Sequence, residues 1–299
     1  MNSTKLLQFF AKRRERGESL VLVTVYDTEG STYSKAGAHM LVDQNGIFRG
    51  MLSGGGLEGD LAIRAQQVLE SGTPQTVTYD LAEGDDGLWG MGVGCDGLMR
   101  VYLQPLQPQS DYEPFTQIAA VLRGHAAAEI TIPIEGEAPG ELVFIVEPTP
   151  RILVLGAGLD AEPVVRFAAE LGWRCTVVDH RQACIDNGDF SAAESARCMP
   201  ADELSARLDL SHYDMAIVMS HHLGSDRSYL TQLAESEISY VGLLGPRSRR
   251  DRLMAELGKA SAKLEQRLHG PAGIDLGGRG PAPIALSIIA QMQEKLSSG

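Results

Sequence analysis

The chain has 299 residues, 43% of them hydrophobic, and a formal net charge of -13. That length supports two domains, each able to bury a core of its own. The acidic balance argues against nucleic acid or an anionic membrane surface as principal partner, because both require a basic face.

Ser3 to Arg16 reads as a basic amphipathic helix rather than a secretory leader, and the apolar run Leu20 to Val25 after it is too short to span a bilayer. A cytoplasmic location is the expectation. The four cysteines, Cys95, Cys175, Cys184 and Cys198, form no C-x-x-C pair, which points to a reduced compartment. Ser19 to Tyr26 predicts a strand, and Thr28 to Gly37 a turn. His39 to Val42 and Ile47 to Arg49 predict a hairpin around Asn45-Gly46.

Next comes Ser53-Gly54-Gly55-Gly56-Leu57-Glu58, three glycines opening a helix that runs to Gly72. Such a loop admits either a tight turn or an anion held against helix-start amides, with the Ser53 hydroxyl beside it. Glu58 in the first turn suits the helix dipole. After a strand over Gln75 to Leu81, residues 83–97 hold so many glycines that no regular element is expected, and Cys95 between Gly94 and Asp96 is the thiol to suspect there. Leu98 to Leu103 resumes the sheet. A peripheral helix, a hairpin (Glu129 to Ile134, Leu142 to Val146) and a stiff Pro148-Thr149-Pro150 linker follow.

From Arg151 the pattern changes. Ile152 to Leu155 is a continuous apolar run, as in a parallel strand covered on both faces. Gly156-Ala157-Gly158-Leu159-Asp160-Ala161 then gives G-x-G-x-x-A at the start of a helix that ends near Gly172. In this context Gly156 permits the turn, Gly158 lets backbone approach a phosphate, and Ala161 lets helix pack on strand. Asp179 closes the second strand 23 residues after Gly156, where a ribose-binding acid is expected, whereas Asp160 in the first helical turn competes with a phosphate.

Strand and helix then alternate: strands over Tyr213 to Met219 and Ile238 to Leu244, helices over Asp226 to Ala234, Pro246 to Leu257 and Pro283 to Leu296. The fold class is α/β, with a mixed N-terminal domain over 1–112, a peripheral segment over 113–150 and a Rossmann-like parallel-sheet domain over 151–299. Strand ends would deliver Gly156, Asp179 with Arg181, Ser220-His221-His222 and Gly245 to one rim. Adjacent His221 and His222 lack the spacing of a metal pair, so a ligand contact or proton transfer suits them better. Arg247, Arg249, Arg250 and Arg252 crowd a helix start, the wrong end for cations, which suggests an anion; pairing with Asp251 and Glu256 is the alternative. The stretch from Leu268 to Pro281 is too rich in glycine and proline to predict regular structure.

With SGGGLEG, GMGVGCDG, GAGLDAEP, VVDHR, MSHHLGSD, YVGLLGPRSRR and LHGPAGIDLGGRGPAPIALSIIAQ in that order, the chain resembles the xanthine dehydrogenase accessory factor (XdhC/CoxI) family over nearly its whole length. The resemblance implies a chaperone that binds the molybdenum cofactor, an anionic molybdopterin, protects it during sulfuration by a cysteine desulfurase, and inserts it into an apo molybdenum hydroxylase of the xanthine dehydrogenase type. It also implies a homodimer, with Ser53, Gly54, Gly55, Gly56, Glu58, Cys95, Gly156, Gly158, Asp179, Arg181, His221 and Arg247 as contacts. Gly56 stands where the first loop usually carries a cysteine, Asp96 replaces a usual glycine, and Pro283 an acidic residue. The alternative is an NAD(P)-dependent oxidoreductase holding its dinucleotide at Gly156, Gly158 and Asp179, with His221 or His222 as proton donor.

Overall fold

Leu20 to Val25 is apolar at nearly every position because the strand it forms is covered on both faces. In a computed structural model, which describes residues 2–81, 97–135 and 139–297, the chain divides between Thr149 and Pro150 into two compact units. The first contains α1 (Ser3–Glu15), β1 (Leu20–Gly30), β2 (His39–Asp43), β3 (Phe48–Arg49), α2 (Glu58–Ser71), β4 (Gln75–Asp80), β5 (Gly97–Leu106), α3 (Phe115–Arg123), β6 (Ala128–Ile134) and β7 (Gly140–Val146). Its antiparallel sheet has the order β3-β2-β1-β5-β4.

Alternation along β1 divides its side chains between two cores. Val21, Val23 and Val25 pack with Leu61, Ala65 and Val68 of α2. Leu20 and Leu22 pack on the other face with Phe10 of α1, Phe115 and Ile118 of α3, and Ile130 and Ile132 of the β6-β7 hairpin. The segment 113–150, expected as peripheral, thus shares a core with 1–112, because the hairpin turns Ile130, Ile132 and Ile134 inward and leaves Glu129 and Thr131 outside. The Asn45-Gly46 turn forms as expected: the Asp43 carboxylate accepts the Asn45 and Ile47 amides at 2.9 Å, and Gly46 supplies a φ of 73°.

The second unit contains β8 (Arg151–Leu155), α4 (Ala161–Glu170), β9 (Arg174–Asp179), α5 (Gln182–Asn187), β10 (Ser195–Cys198), α6 (Leu204–Arg207), β11 (Met215–Val218), α7 (Leu223–Ala234), β12 (Tyr240–Leu243), α8 (Arg247–Leu257), β13 (Leu268–His269) and α9 (Pro281–Ser297). All pairs in its sheet are parallel, in the order β10-β9-β8-β11-β12-β13. Numbered from its own first strand this is 3-2-1-4-5-6, the Rossmann arrangement. Ile152, Val154 and Ile217 face α4 and α9. Leu153, Leu155 and Val218 face α7 and α8. Each such side chain contributes about 1.5–3 kcal/mol on burial.

Two strands escape the sequence reading. β10 is a short edge strand of mostly polar residues, and β13 is two residues inside the glycine-rich tail, paired to Val241 and Gly242. The structure also starts α7 at Leu223 instead of Asp226, because the His222 ring caps it by accepting the Ser225 amide at 3.1 Å.

Candidate functional site

In a sheet of this order the connection after β8 runs to β9 on one side and the connection after β11 runs to β12 on the other, which opens a crevice at the carboxyl ends of β8 and β11. The two glycines there have separate jobs. Gly156 has a φ of 129°, and a Cβ on it would sit 2.5 Å from the Met219 carbonyl oxygen, so it is required where the ends of β8 and β11 converge. A Cβ on Gly158 would meet only the His221 ring, at 3.7 Å. Its lack of a side chain keeps the mouth of the loop open and has no packing cause. Ala161 is wholly buried at the start of α4, as the motif requires.

Asp179 closes β9 and is buried. Its carboxylate accepts the Ala157 amide at 2.7 Å, the Arg181 amide at 2.8 Å, and Arg181 Nε and Nη2 at 2.9 and 2.8 Å. Burial alone would raise its pKa, but the Arg181 guanidinium and the two amides outweigh it and hold the group below the usual carboxylate range. This geometry departs from that of a ribose acid: the carboxylate is already the anion of the glycine loop, and Arg181, 42% exposed, forms the outer surface there.

His221 adopts a φ of 59°, one of few non-glycine residues with positive φ, and its side chain is 56% exposed. Its Nε2 lies 3.0 Å from Asp160 Oδ2, so the carboxylate expected to oppose a phosphate at the α4 N-terminus is paired across Gly158. His222 makes different contacts, its Nδ1 2.9 Å from the Ser225 hydroxyl, which is 3.3 Å from His180 Nδ1. The His180 and His222 rings lie 5.6 Å apart. Ser220 donates its hydroxyl to buried Asp226, which also accepts Arg249 Nε and Nη2 at 3.0 and 2.6 Å. Sequence reasoning misses His180, Ser225 and Asp226 as parts of this rim; His180 follows Asp179 directly at the end of β9, and that strand-end position is the signal that could have found it.

The arginine cluster divides. Arg249 binds Asp226, Arg250 binds Asp251 and the Gly270 carbonyl, and Arg252 binds Glu256. Carboxylates of the chain itself thus account for three of the four cations expected to signal an anion. Arg247 is exposed and has no ionic or hydrogen-bond partner among the described residues.

In the first unit, Glu58 organises the glycine loop. Its buried carboxylate accepts the Leu52 and Ser53 amides at 2.7 and 2.8 Å, the Ser53 hydroxyl at 2.6 Å and the Gly55 amide at 3.1 Å. The Ser53 hydroxyl in turn accepts the Leu57 amide at 2.7 Å. Burial raises the Glu58 pKa, the donors from Ser53 and Leu52 together lower it by more, and the net lies below the ordinary range. The amides expected to face an external anion therefore face Glu58. Gly54 and Gly55, with φ of 79° and 111°, are exposed on the outer side, and Gly56 is half-buried. Cys95 and the loop around it lie outside the described residues. Cys175 is buried in β9, where burial pushes its thiol up to about 12, as befits a core residue.

A model of the XdhC Rossmann domain matches residues 152–292, and one of the XdhC and CoxI family matches residues 13–80. The chain belongs to the XdhC and CoxI family. The Ser53 to Glu58 loop falls in the second match, and Gly156, Asp179, His221 and Arg247 fall in the first. Among relatives of this XdhC-type chain, a Bacillus subtilis (strain 168) protein whose name makes it one probable subunit of xanthine dehydrogenase is 29% identical over 314 residues, 93% of each chain. The molybdenum cofactor insertion chaperone PaoD of Escherichia coli (strain K12) is 24% identical over 301 residues, 96% of this chain and 86% of its own. The crystal structure of a protein of Bacillus halodurans, described as a xanthine dehydrogenase, has a TM-score of 0.80 at 29% identity and covers 100% of this chain and 96% of its own.

Proposed function

We propose that this XdhC-type chain binds the molybdenum cofactor as cargo and delivers it to an apo molybdenum hydroxylase of the xanthine dehydrogenase type. The observation that carries this reading is the similarity to a molybdenum cofactor insertion chaperone across both units, not across the Rossmann unit alone. The rim chemistry supports it. The exposed His221 ring faces Gly158, exposed Arg181 stands on Asp179 behind the same loop, and Arg247 follows the end of β12, so the carboxyl edge of the sheet offers two guanidinium groups and an imidazole to an anionic pterin. In the first unit, Glu58 holds the loop so that Gly54 and Gly55 present backbone outward. We assign Gly56 and Cys95 to cargo contact as well, and expect a cytoplasmic homodimer that holds the cofactor while a cysteine desulfurase sulfurates it.

The same geometry disfavours an NAD(P)-dependent oxidoreductase. A ribose diol needs free carboxylate oxygens at Asp179, and those oxygens accept four internal donors. The test is to activate a purified apo hydroxylase with molybdenum cofactor, with and without the chain. We expect faster and more complete activation with it; identical time courses would overturn the reading. Thermal stabilisation by millimolar NAD would favour the oxidoreductase instead.

A further inference from the structure

A cleft of about 630 Å³ opens beyond β12, between the loop at 271–278 and the first turns of α8 and α9. It lies on the carboxyl edge of the sheet, the side on which ligands of open α/β sheets bind, but away from the crevice between β8 and β11. Its walls are built rather than collapsed. The Gln291 side-chain oxygen accepts both the Gly273 amide at 2.8 Å and the Tyr240 hydroxyl at 2.7 Å. The Ala272 amide donates to the Leu243 carbonyl at 3.0 Å and the Ile274 amide to the Ser287 carbonyl at 3.2 Å. The Ser287 hydroxyl donates back to the Ile274 carbonyl. A loop fixed at this many points keeps its cleft formed before any ligand arrives.

The lining has three chemical characters. Arg247, in the first turn of α8, has no partner among the described residues, and a cation at that end opposes the helix dipole. Asp275 accepts the Gly277 amide on one oxygen at 3.2 Å, which leaves carboxylate lone pairs for further N–H donors. Ile274, Leu276 and Ile284 supply apolar wall. Other places suit an external phosphate less well. At the α4 N-terminus Asp160 stands in the first turn and Asp179 has taken the Ala157 amide. A larger groove of about 710 Å³ at the amino ends of β11 and β12 is lined by Asp209, Glu235 and Glu237, and its Arg207 is paired with Glu203.

We propose that the β12 cleft binds a phosphate monoester carried on a flat heterocycle with an amino-lactam edge, the hydrogen-bonding edge shared by guanine and pterin. Arg247 and the helix-start amides take the phosphate, Asp275 accepts the ring N–H groups, and the apolar wall covers the ring face. In its pterin form the inference rests on the cofactor reading above; in its nucleotide form it stands without it.

The test is calorimetric titration of the full chain with guanosine monophosphate, adenosine monophosphate, guanosine and neopterin phosphate, repeated on Arg247→Gln and Asp275→Asn. We expect guanosine monophosphate to bind at least about tenfold more tightly than guanosine and than adenosine monophosphate. Arg247→Gln should cut phosphate-ester binding about tenfold with an unchanged thermal midpoint, and Asp275→Asn should erase the preference over adenine. Tighter binding of neopterin phosphate would identify the ring as a pterin, and tighter binding of guanosine monophosphate a nucleotide. No binding by either phosphate ester, or binding indifferent to Arg247→Gln, would overturn the proposal. Because the titrations use no molybdenum, their failure leaves cofactor delivery standing, and failure of delivery leaves them interpretable.

Discussion

Glu58, Asp179 and Asp226 show one device used three times: a buried carboxylate that satisfies donors in a loop or on an arginine of its own chain. Charge-assisted hydrogen bonds of this kind are worth about 1.5–3 kcal/mol each, and a buried donor left unpaired costs a further ~1–3 kcal/mol. Glu58→Ala should therefore lower stability by about 3 kcal/mol, read as a shift of the denaturant midpoint; a shift below about 1 kcal/mol would mean that solvent replaces the carboxylate. Acid acts on the same groups. Glu58 and Asp179 titrate below their ordinary values when folded, so their contribution is present above the unfolded pKa and is lost as pH falls through the folded one.

His39 works in a higher window. Burial, partly offset by its bond to the Gly37 carbonyl, lowers its pKa, and Nε2 has no partner among the described residues. The unfolded chain then binds more protons just below the ordinary value of 6.5, so stability falls as pH drops from there toward the folded value. Chemical denaturation at about pH 7 and about pH 5.5, either side of the unfolded value, should show this loss in the natural chain and a smaller one in His39→Gln. Equal losses in the two chains would place the titration elsewhere. These roles were hidden in the sequence because burial decides them: Glu58 reads as a dipole residue and Asp179 as a ribose acid until their hydrogen bonds are seen.

At the scale of elements, the alternation of apolar runs and helical periodicity made β1, β2, β8, β9, β11, β12 and the long helices legible, since each strand carries a continuous apolar run and each helix an apolar face. β10 and β13 were not, because edge strands of four and two residues obtain their geometry from neighbours rather than from pattern. The G-x-G-x-x-A motif was legible as a fold element, yet its glycines are unequal. Gly156→Ala would press a Cβ against the Met219 carbonyl at a φ that L-residues rarely adopt, and should cost about 3 kcal/mol or more. Gly158→Ala has room and no positive φ, and should leave the thermal midpoint unchanged while weakening any ligand that approaches the loop. Equal destabilisation by both would deny Gly158 a role in binding.

At the scale of the whole molecule, an acidic chain with a Rossmann unit is open to many functions, because fold alone does not fix chemistry. Ordered motifs across both halves narrowed it, and similarity across both units supports the narrower reading. What the sequence could not convey is that two glycine loops shaped like anion sites are each held by a carboxylate of the protein's own, which leaves the exposed guanidinium groups of Arg181 and Arg247, with the His221 ring, to meet an anion at the carboxyl edge. Delivery of a cofactor requires stoichiometric retention without turnover. The direct measurement is anaerobic incubation of the purified chain with molybdenum cofactor, gel filtration, and quantification of molybdenum and pterin in the protein peak. Near-equimolar co-elution of both is the predicted result; a protein peak free of molybdenum and pterin would contradict the account.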